Sequence, residues 1–224
     1  MISVVIPVRN ASATIQESIQ SVLSQEVKDL EILCVINGTN DNTEEIIRTI
    51  KDDRIKILHS TPGIVPALNM GLRNCKGDII ARQDSDDVWL SNKLKKQLDF
   101  FDKNSDIDIL GTQLNVVDGG NKHIRLTSYP TEHNQIIASL LVGENAIGHP
   151  SVIFKRKILD KCAGYFDLFP FAEDLDLWAR SIPWYKFANL NEPLVRYKHI
   201  PNPNYNPHVP KIVSAWYRMV YGIK

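Results

Sequence analysis

Ile2-Ser3-Val4-Val5-Ile6-Pro7-Val8-Arg9-Asn10 opens the chain as an almost unbroken apolar run that stops at a proline, a cation and an amide. A strand with one face in water alternates apolar and polar residues. A run this continuous fits a strand buried on both faces, the habit of parallel sheets. The pattern then repeats. Thr14-x-x-Glu17 has capping-box spacing, and Ile15, Ile19, Val22 and Leu23 recur at helical intervals. Residues 31–36 form a second run, stopped by Asn37-Gly38, and Asp41-x-x-Glu44 opens a helix with Ile46, Ile47 and Ile50 inward. Residues 55–58 read as a third strand. Ile64, Val65, Leu68 and Leu72 mark the next helix, with Pro66 tolerable in its first turn. Residues 78–81 make a fourth strand, and Ser91 is placed to cap a helix carrying Leu94, Leu98 and Phe101.

Such alternation predicts an α/β fold, a parallel sheet covered by helices on both faces. Crossovers in it are right-handed, and ligands bind beyond the C-terminal strand ends. Those ends are residues 7–10, 37–41, 59–63 and 83–87, so four polar clusters converge on one sheet edge. The second half is less regular. Residues 107–117 read as a strand, Asp118-Gly119-Gly120-Asn121 as a hairpin turn and residues 132–141 as a helix. A short strand at 150–154, a short helix at 173–182 and a last strand at 193–197 follow. Four prolines make 201–210 an irregular arm. Trp184, Tyr185 and Phe187 read as core.

Composition narrows the functional classes. With 43% hydrophobic and 23% charged residues, the 224-residue chain has globular composition, and wholesale disorder is excluded. Lys and Arg number 26, as do Asp and Glu, so a nucleic-acid binder working by bulk charge is excluded. Cys34, Cys75 and Cys162 form no CxxC pair and read as small core residues of a reducing compartment. The first ten residues lack the basic start and long apolar stretch of a leader, and no run of about 18 apolar residues occurs. The expectation is a cytoplasmic protein. Phosphate loops of the GxxxxGK[ST] type, GxGxxG fingerprints and GxSxG elbows are absent from the sequence.

Two acidic clusters carry the chemistry. Asp84-Ser85-Asp86-Asp87 places three carboxylates directly after a strand, where they repel unless a cation neutralises them. Mg2+ or Mn2+ suits carboxylate oxygens, and Asp84 and Asp86 share a side if the segment is extended. A solvated turn or a helix cap is the competing reading. Glu173-Asp174 starts a helix, where the macrodipole favours acids anyway; the functional alternative is a general base. His149 and His199 have no metal-like spacing, and a single histidine is more often packed or exposed.

Taken in order, these clusters resemble the inverting glycosyltransferases of family 2, which have the GT-A fold. Residues 4–10 resemble the family's opening strand and nucleotide loop. Residues 37–43 are similar to its DDGSTDNT, Ala67-Leu68-Asn69-Met70-Gly71 to AxNxG, and residues 77–87 to the segment ending in DxD. His149-Pro150-Ser151-Val152 and residues 173–178 complete the series. The resemblance implies a single GT-A domain, with a nucleotide-sugar-binding half at 1–110, an acceptor-binding and catalytic half at 111–200 and an arm at 201–224. It implies a nucleotide-sugar donor, UDP-linked, and a glycan or lipid-linked acceptor in cell-surface polysaccharide synthesis, with Mg2+ or Mn2+ and no nucleic acid. Donor contacts fall to Pro7, Arg9, Asn10, Asn37, Asn69, Arg82, Asp84 and Ser85. Asp86, with Asp84, would bind the metal. Glu173 would hold donor or acceptor, and Asp174 would take the acceptor proton. The family often ends this region with YRxH; here Tyr197-Lys198-His199 puts the third metal ligand, His199, one place early. Where the family commonly has two acids, this chain has Ile36-Asn37, whose amide carbonyl still accepts a hydrogen bond, without the charge.

Other readings stay open. Asp84-x-Asp86-x-Val88 formally fits the nucleophile motif of haloacid-dehalogenase phosphohydrolases, although theirs follows the first strand. A sugar-phosphate nucleotidyltransferase would need a glycine-rich basic loop where Pro7-Val8-Arg9-Asn10 stands. A weakened, glycosyltransferase-like sugar- or nucleotide-binding protein is the non-enzymatic alternative. Ile212, Trp216, Met219 and Val220 recur at helical spacing near Lys211, Arg218 and Lys224. Such a helix can lie peripherally on the inner face of a cell membrane, or close over the sheet or a partner subunit.

Overall fold

The computed structural model describes residues 1–201, 203 and 206–223. Strand β1 (Ile2–Val8) is buried along its whole length, and its side chains alternate between two cores. Val4, Ile6 and Val8 enter one and Val5 the other, as the period of two requires. Helix α1 (Ile15–Leu23), β2 (Leu30–Ile36), α2 (Thr43–Thr49), β3 (Ile55–His59), α3 (Ile64–Asn74) and β4 (Ile79–Arg82) follow. Strands β3, β2, β1 and β4 lie side by side, all parallel. Gly71 lets α3 lie against β1: a Cβ there would sit 2.4 Å from a methyl of Val5.

The second half extends this sheet with strands of both senses. Its elements are β5 (Val88–Trp89), α4 (Lys93–Lys103), β6 (Ile109–Val117), β7 (His123–Leu126), α5 (His133–Leu141), a 3-10 turn (His149–Ser151), β8 (Ile153–Lys155), α6 (Leu159–Cys162), α7 (Glu173–Ser181), β9 (Phe187–Lys198) and α8 (Val209–Val220). The strand order is β3-β2-β1-β4-β8-β6-β9-β5, with β7 paired to β6. β8 is antiparallel to both β4 and β6, whereas β9 runs parallel to β6.

Several local expectations need correction. Thr14 and Glu17 close no capping box: the Thr14 hydroxyl donates to the Ala11 carbonyl, and Glu17 pairs with Arg196 of β9. Helix α4 is entered through Asn92 in a left-handed conformation (φ 63°) instead of a Ser91 cap. The region 150–154 starts as a 3-10 turn, since Pro150 favours a first helical position, and the strand begins only at Ile153. The last strand starts six residues early, at Phe187, because β6 offers it a parallel partner from Ile109 onward. Strand β5 pairs across the sheet with Val195 and Arg196, a long-range contact that no local pattern announces. Tyr185 and Phe187 are buried as expected, but Trp184 is exposed, with Lys161 Nζ 5.2 Å from its ring. All three cysteines are free and buried, and burial pushes the Cys34 and Cys75 thiols up to about 12 and about 11.

Two buried polar networks hold the second half. In the first, Trp89 Nε1 donates to the Pro150 carbonyl (3.1 Å), and Gln97 Nε2 donates to those of Ser151 (3.0 Å) and Leu110 (3.1 Å). Together they fix the turn that carries His149. In the second, Asp176 of α7 is fully buried. One of its oxygens accepts from Arg180 Nη2 (2.6 Å) and Nε (2.9 Å), the other from Tyr217 Oη of α8 (2.6 Å). Tyr217→Phe should lower stability by about 1.5–3 kcal/mol, the range for a hydrogen bond to a charged group. Urea unfolding measures it; an unchanged midpoint would show that this bond does not hold α7 and α8 together.

Candidate active site

The turn after β4 is held by neutral donors instead of by its own acids. Gln83 Nε2 donates to the Asp87 carbonyl (2.8 Å) and to Ser18 Oγ (3.2 Å), and Ser18 Oγ donates to the Asp84 carbonyl (2.7 Å). The segment is therefore a turn and not the extended stretch that would align Asp84 with Asp86. Each carboxylate has its own address. Asp84 pairs with the buried guanidinium of Arg82. Asp87 is fully buried and accepts from the Lys198 backbone N–H (2.8 Å). Asp86 is half-buried between them and accepts no side-chain donor among the described residues. Burial, then the charge of Asp84, pushes it up to about 6.

Across the sheet edge, α7 begins with its acids. Phe171 precedes it in a left-handed conformation (φ 60°), a costly one for an aromatic residue, and aims the first turn at the same opening. Arg82, Asp84, Glu173, Asp174 and His199 all line one cleft of about 460 Å³. Asp84 and the acids that open α7, distant in sequence, thus share a single cavity. Burial, then the charge of Asp174, pushes Glu173 up to about 7. Asp174 is raised by burial, against hydrogen bonds from the Leu175 N–H (2.7 Å) and Asn145 Nδ2 (3.1 Å). His149 also lines the cleft, its Nε2 2.9 Å from Tyr165 Oη, and burial lowers it, so the ring stays neutral. Arg82 Nε is buried with no hydrogen-bond partner among the described residues.

The remaining expected donor residues, and the expected metal ligand Asp86, are not among those that line this cleft. Pro7 is buried in β1, and Arg9 is exposed beyond it. Asn10, at φ 48°, accepts from the Asn40 N–H (3.0 Å) and ties the first two strand ends together. Asn37 donates to the Val8 carbonyl through both its backbone N–H and its Nδ2 (3.0 Å each), leaving Oδ1 with no donor among the described residues. Ser85 is half-buried in the acidic turn. The carboxamide of Asn69 is taken up by the backbone of Tyr165, with bonds of 2.8 and 2.9 Å. Asn145, Arg125, Tyr129 and Phe171 line the cleft unannounced by any motif. They lie in loops or on a hairpin, where only the folded chain reveals neighbours.

Among the described residues no three His, Cys, Asp or Glu side chains form a ready metal cage. The expected trio of Asp84, Asp86 and His199 is not assembled as one, because Asp84 turns onto Arg82. Two carboxylates nonetheless suit a divalent cation that completes its shell with phosphate oxygens and water. Asp86 accepts no side-chain donor among the described residues, and burial disfavours its anion.

A family model described as Glycosyl transferase family 2 matches residues 3–162. The O-antigen biosynthesis glycosyltransferase WbnJ of Escherichia coli is 35% identical over 207 residues, covering 88% of this chain and 79% of that one. An uncharacterized glycosyltransferase of Methanocaldococcus jannaschii, MJ1057, is 33% identical over 197 residues, covering 84% and 66%. Among solved structures, S. aureus TarS 1-349 in complex with UDP-GlcNAc superposes with a TM-score of 0.74 at 19% identity, covering 92% of this chain and 61% of that one. The mannosyltransferase PcManGT from Pyrobaculum calidifontis, with GDP-Man and Mn2+, gives 0.65 at 18%, covering 99% and 71%. At such identities the likeness is one of fold. The chain spans less than two thirds of TarS 1-349 and of a Haemophilus influenzae relative, 65% in the latter case.

The raised acid at the start of α7 has a sign that can be checked. The folded state holds a proton on Glu173 up to pH about 7, whereas the unfolded chain releases it near 4.5. Stability therefore falls as pH rises through that window, by at most about 3 kcal/mol for this group. Glu173→Gln should flatten the decline and leave the variant more stable than wild type at pH 7.5. Urea midpoints at pH 5 and 7.5 measure this; parallel pH dependences would show that Glu173 is not the strained group.

Proposed function

The chain belongs to glycosyl transferase family 2, and from that premise we propose that it moves a sugar, with inversion, from a UDP-linked donor to a hydroxyl of a glycan or lipid-linked acceptor in cell-surface polysaccharide synthesis. The observation that carries this reading is that Asp84, from the turn after β4, and Glu173 and Asp174, from the start of α7, line one cleft. Direct displacement uses two such groups of acids. A leaving group must be held on one face of the sugar while a base works on the other.

In this reading Asp174 takes the proton of the acceptor hydroxyl. The acceptor oxygen forms a bond to the anomeric carbon as the bond from that carbon to the diphosphate breaks, and the nucleoside diphosphate leaves with the electron pair. Burial raises Asp174 above its ordinary value, which strengthens it as a base, while the Asn145 bond orients the carboxylate. Glu173 beside it binds donor or acceptor hydroxyls. Arg82, with a buried Nε that has no partner among the described residues, offers a donor to a sugar or phosphate oxygen. Asp86 and Asp84 are the residues that would hold Mg2+ or Mn2+, with His199 at the rim of the same cleft. Bound there, the ion would stabilise the developing diphosphate charge. Asn37 Oδ1, unclaimed by protein donors, is available to a base N–H.

Thermal melting with UDP, GDP and CDP, each with and without Mn2+, tests the donor class. Ligand at about 100-fold its Kd adds about 2.7 kcal/mol, a shift of several degrees for a chain of this size. One nucleotide should stabilise the protein, only with metal, and Asp86→Ala should abolish the shift. Stabilisation by a free sugar and by no nucleotide would instead support a binding protein. NMP transfer to a sugar phosphate would identify a nucleotidyltransferase, and release of inorganic phosphate a phosphohydrolase. A separate variant, Asp174→Asn, should keep the nucleotide shift and lose roughly 10²–10⁴-fold in sugar transfer, the usual contribution of a general base. Wild-type turnover in that variant would remove Asp174 from the base role.

A further inference from the structure

The charges of this neutral chain are unevenly placed. None of its 26 acidic residues lies after Glu192, whereas five Lys or Arg residues do. Helix α8 falls in that stretch and has two contrasting sides. Val213, Ser214 and Tyr217 are buried against the body, and Tyr217 and Tyr221 donate to Asp176 Oδ1 (2.6 Å) and to the Ala179 carbonyl (2.8 Å). These bonds fix the rotation of the helix, so its other side is a defined surface. That side carries Ile212, Trp216, Met219 and Val220 at i, i+4, i+7 and i+8, each more than half exposed. Lys211 and Arg218 run along one flank of this stripe. No helix of the described residues is long and apolar enough to cross a membrane.

We propose that the outer face of α8 docks the protein on an anionic bilayer surface, its four apolar side chains entering the headgroup boundary and Lys211 and Arg218 contacting lipid phosphates. The composition is that of an interfacial helix, with a tryptophan, an apolar stripe and basic residues but no acid. Charge complementarity favours lipid over a symmetric second copy. A two-fold contact through this face would bring two sets of Lys211 and Arg218 together. Position supports the same occupant, because Pro210 in the first turn of α8 lines the catalytic cleft. A bilayer under α8 would therefore lie beside the cleft mouth. Docking itself requires no nucleotide, so it stands or falls separately from the donor assignment.

Co-sedimentation of the full chain with vesicles tests the proposal. Phosphatidylcholine vesicles are compared with phosphatidylcholine–phosphatidylglycerol vesicles at low and high salt. Wild type should pellet with the anionic vesicles, far less with the neutral ones, and less at high salt. Each basic residue near such a surface is worth about fivefold in partitioning, so Lys211→Glu/Arg218→Glu should weaken binding at least about 25-fold. Ile212→Glu/Met219→Glu should abolish it. Both pairs are exposed or lie at the helix edge, so melting temperatures and nucleotide-induced shifts should stay at wild-type values and show that the fold persists. Failure of wild type to bind anionic vesicles would overturn the proposal, as would undiminished binding by either double variant. Absence of vesicle binding together with a dimer that Ile212→Glu/Met219→Glu dissociates would assign the face to a second copy instead.

Discussion

A single buried guanidinium sets the terms for the whole site. Arg82 sits at the end of β4, pairs with Asp84, and also favours the ionised forms of Asp86, Asp87, Glu173 and Asp174. Five carboxylates thus draw on Arg82 in a partly dehydrated space, with Lys198 also acting on Asp86. Burial opposes the charge of Asp86, Asp87, Glu173 and Asp174, neighbouring carboxylates add to it at the first three, and all four are pushed upward as a result. Charge balance at neutral pH can come from protons or from a second cation. In the proposed reading this imbalance would be met by a divalent ion accompanied by a diphosphate, which brings its own ligands and charge.

The fold makes such a site affordable by dividing it between two rigid supports. β4 and its following turn belong to the parallel half, where β1 and β2 are buried from end to end. The opposing acids stand on α7, which is not part of the sheet and needs its own anchorage. Asp176 supplies that anchorage from within α7, through Arg180 and through Tyr217 of α8. Arg180 also reaches the Gly164 carbonyl (2.8 Å), so the loop leading to α7 is held from both sides. Asn69 clamps the adjoining Tyr165, whose hydroxyl meets His149. The motif resembling AxNxG therefore acts at a distance, linking α3 to the wall of the cleft.

What the sequence made legible followed from short-range rules. Continuous apolar runs marked β1 and β2, and their ends located the polar edge of the sheet, because strand direction alone decides where those ends lie. Opposition of Asp84 to Asp174 was legible only through family resemblance, since ninety residues separate them. Side-chain direction was not legible. A strand end predicts an extended 84–86 segment, yet Ser18 of α1 and Gln83 just after β4 bend it into a turn. Capping signals failed for a similar reason: Glu17 found Arg196, a partner 179 residues away. Asn145 and Arg125 carried no local signature at all. They become site residues only because α5, β7 and α7 meet at one place.

Asn37 fits the same electrostatic constraint. An acid at this strand end would add another negative charge to the edge that already carries the excess around Arg82. The amide avoids that charge while its Nδ2 bonds the Val8 carbonyl, tying the ends of β1 and β2 together. In the proposed reading its Oδ1 would accept a hydrogen bond at the strength of a neutral acceptor. The amide would then bind the base less strongly than an acid and spare the sheet edge a further charge.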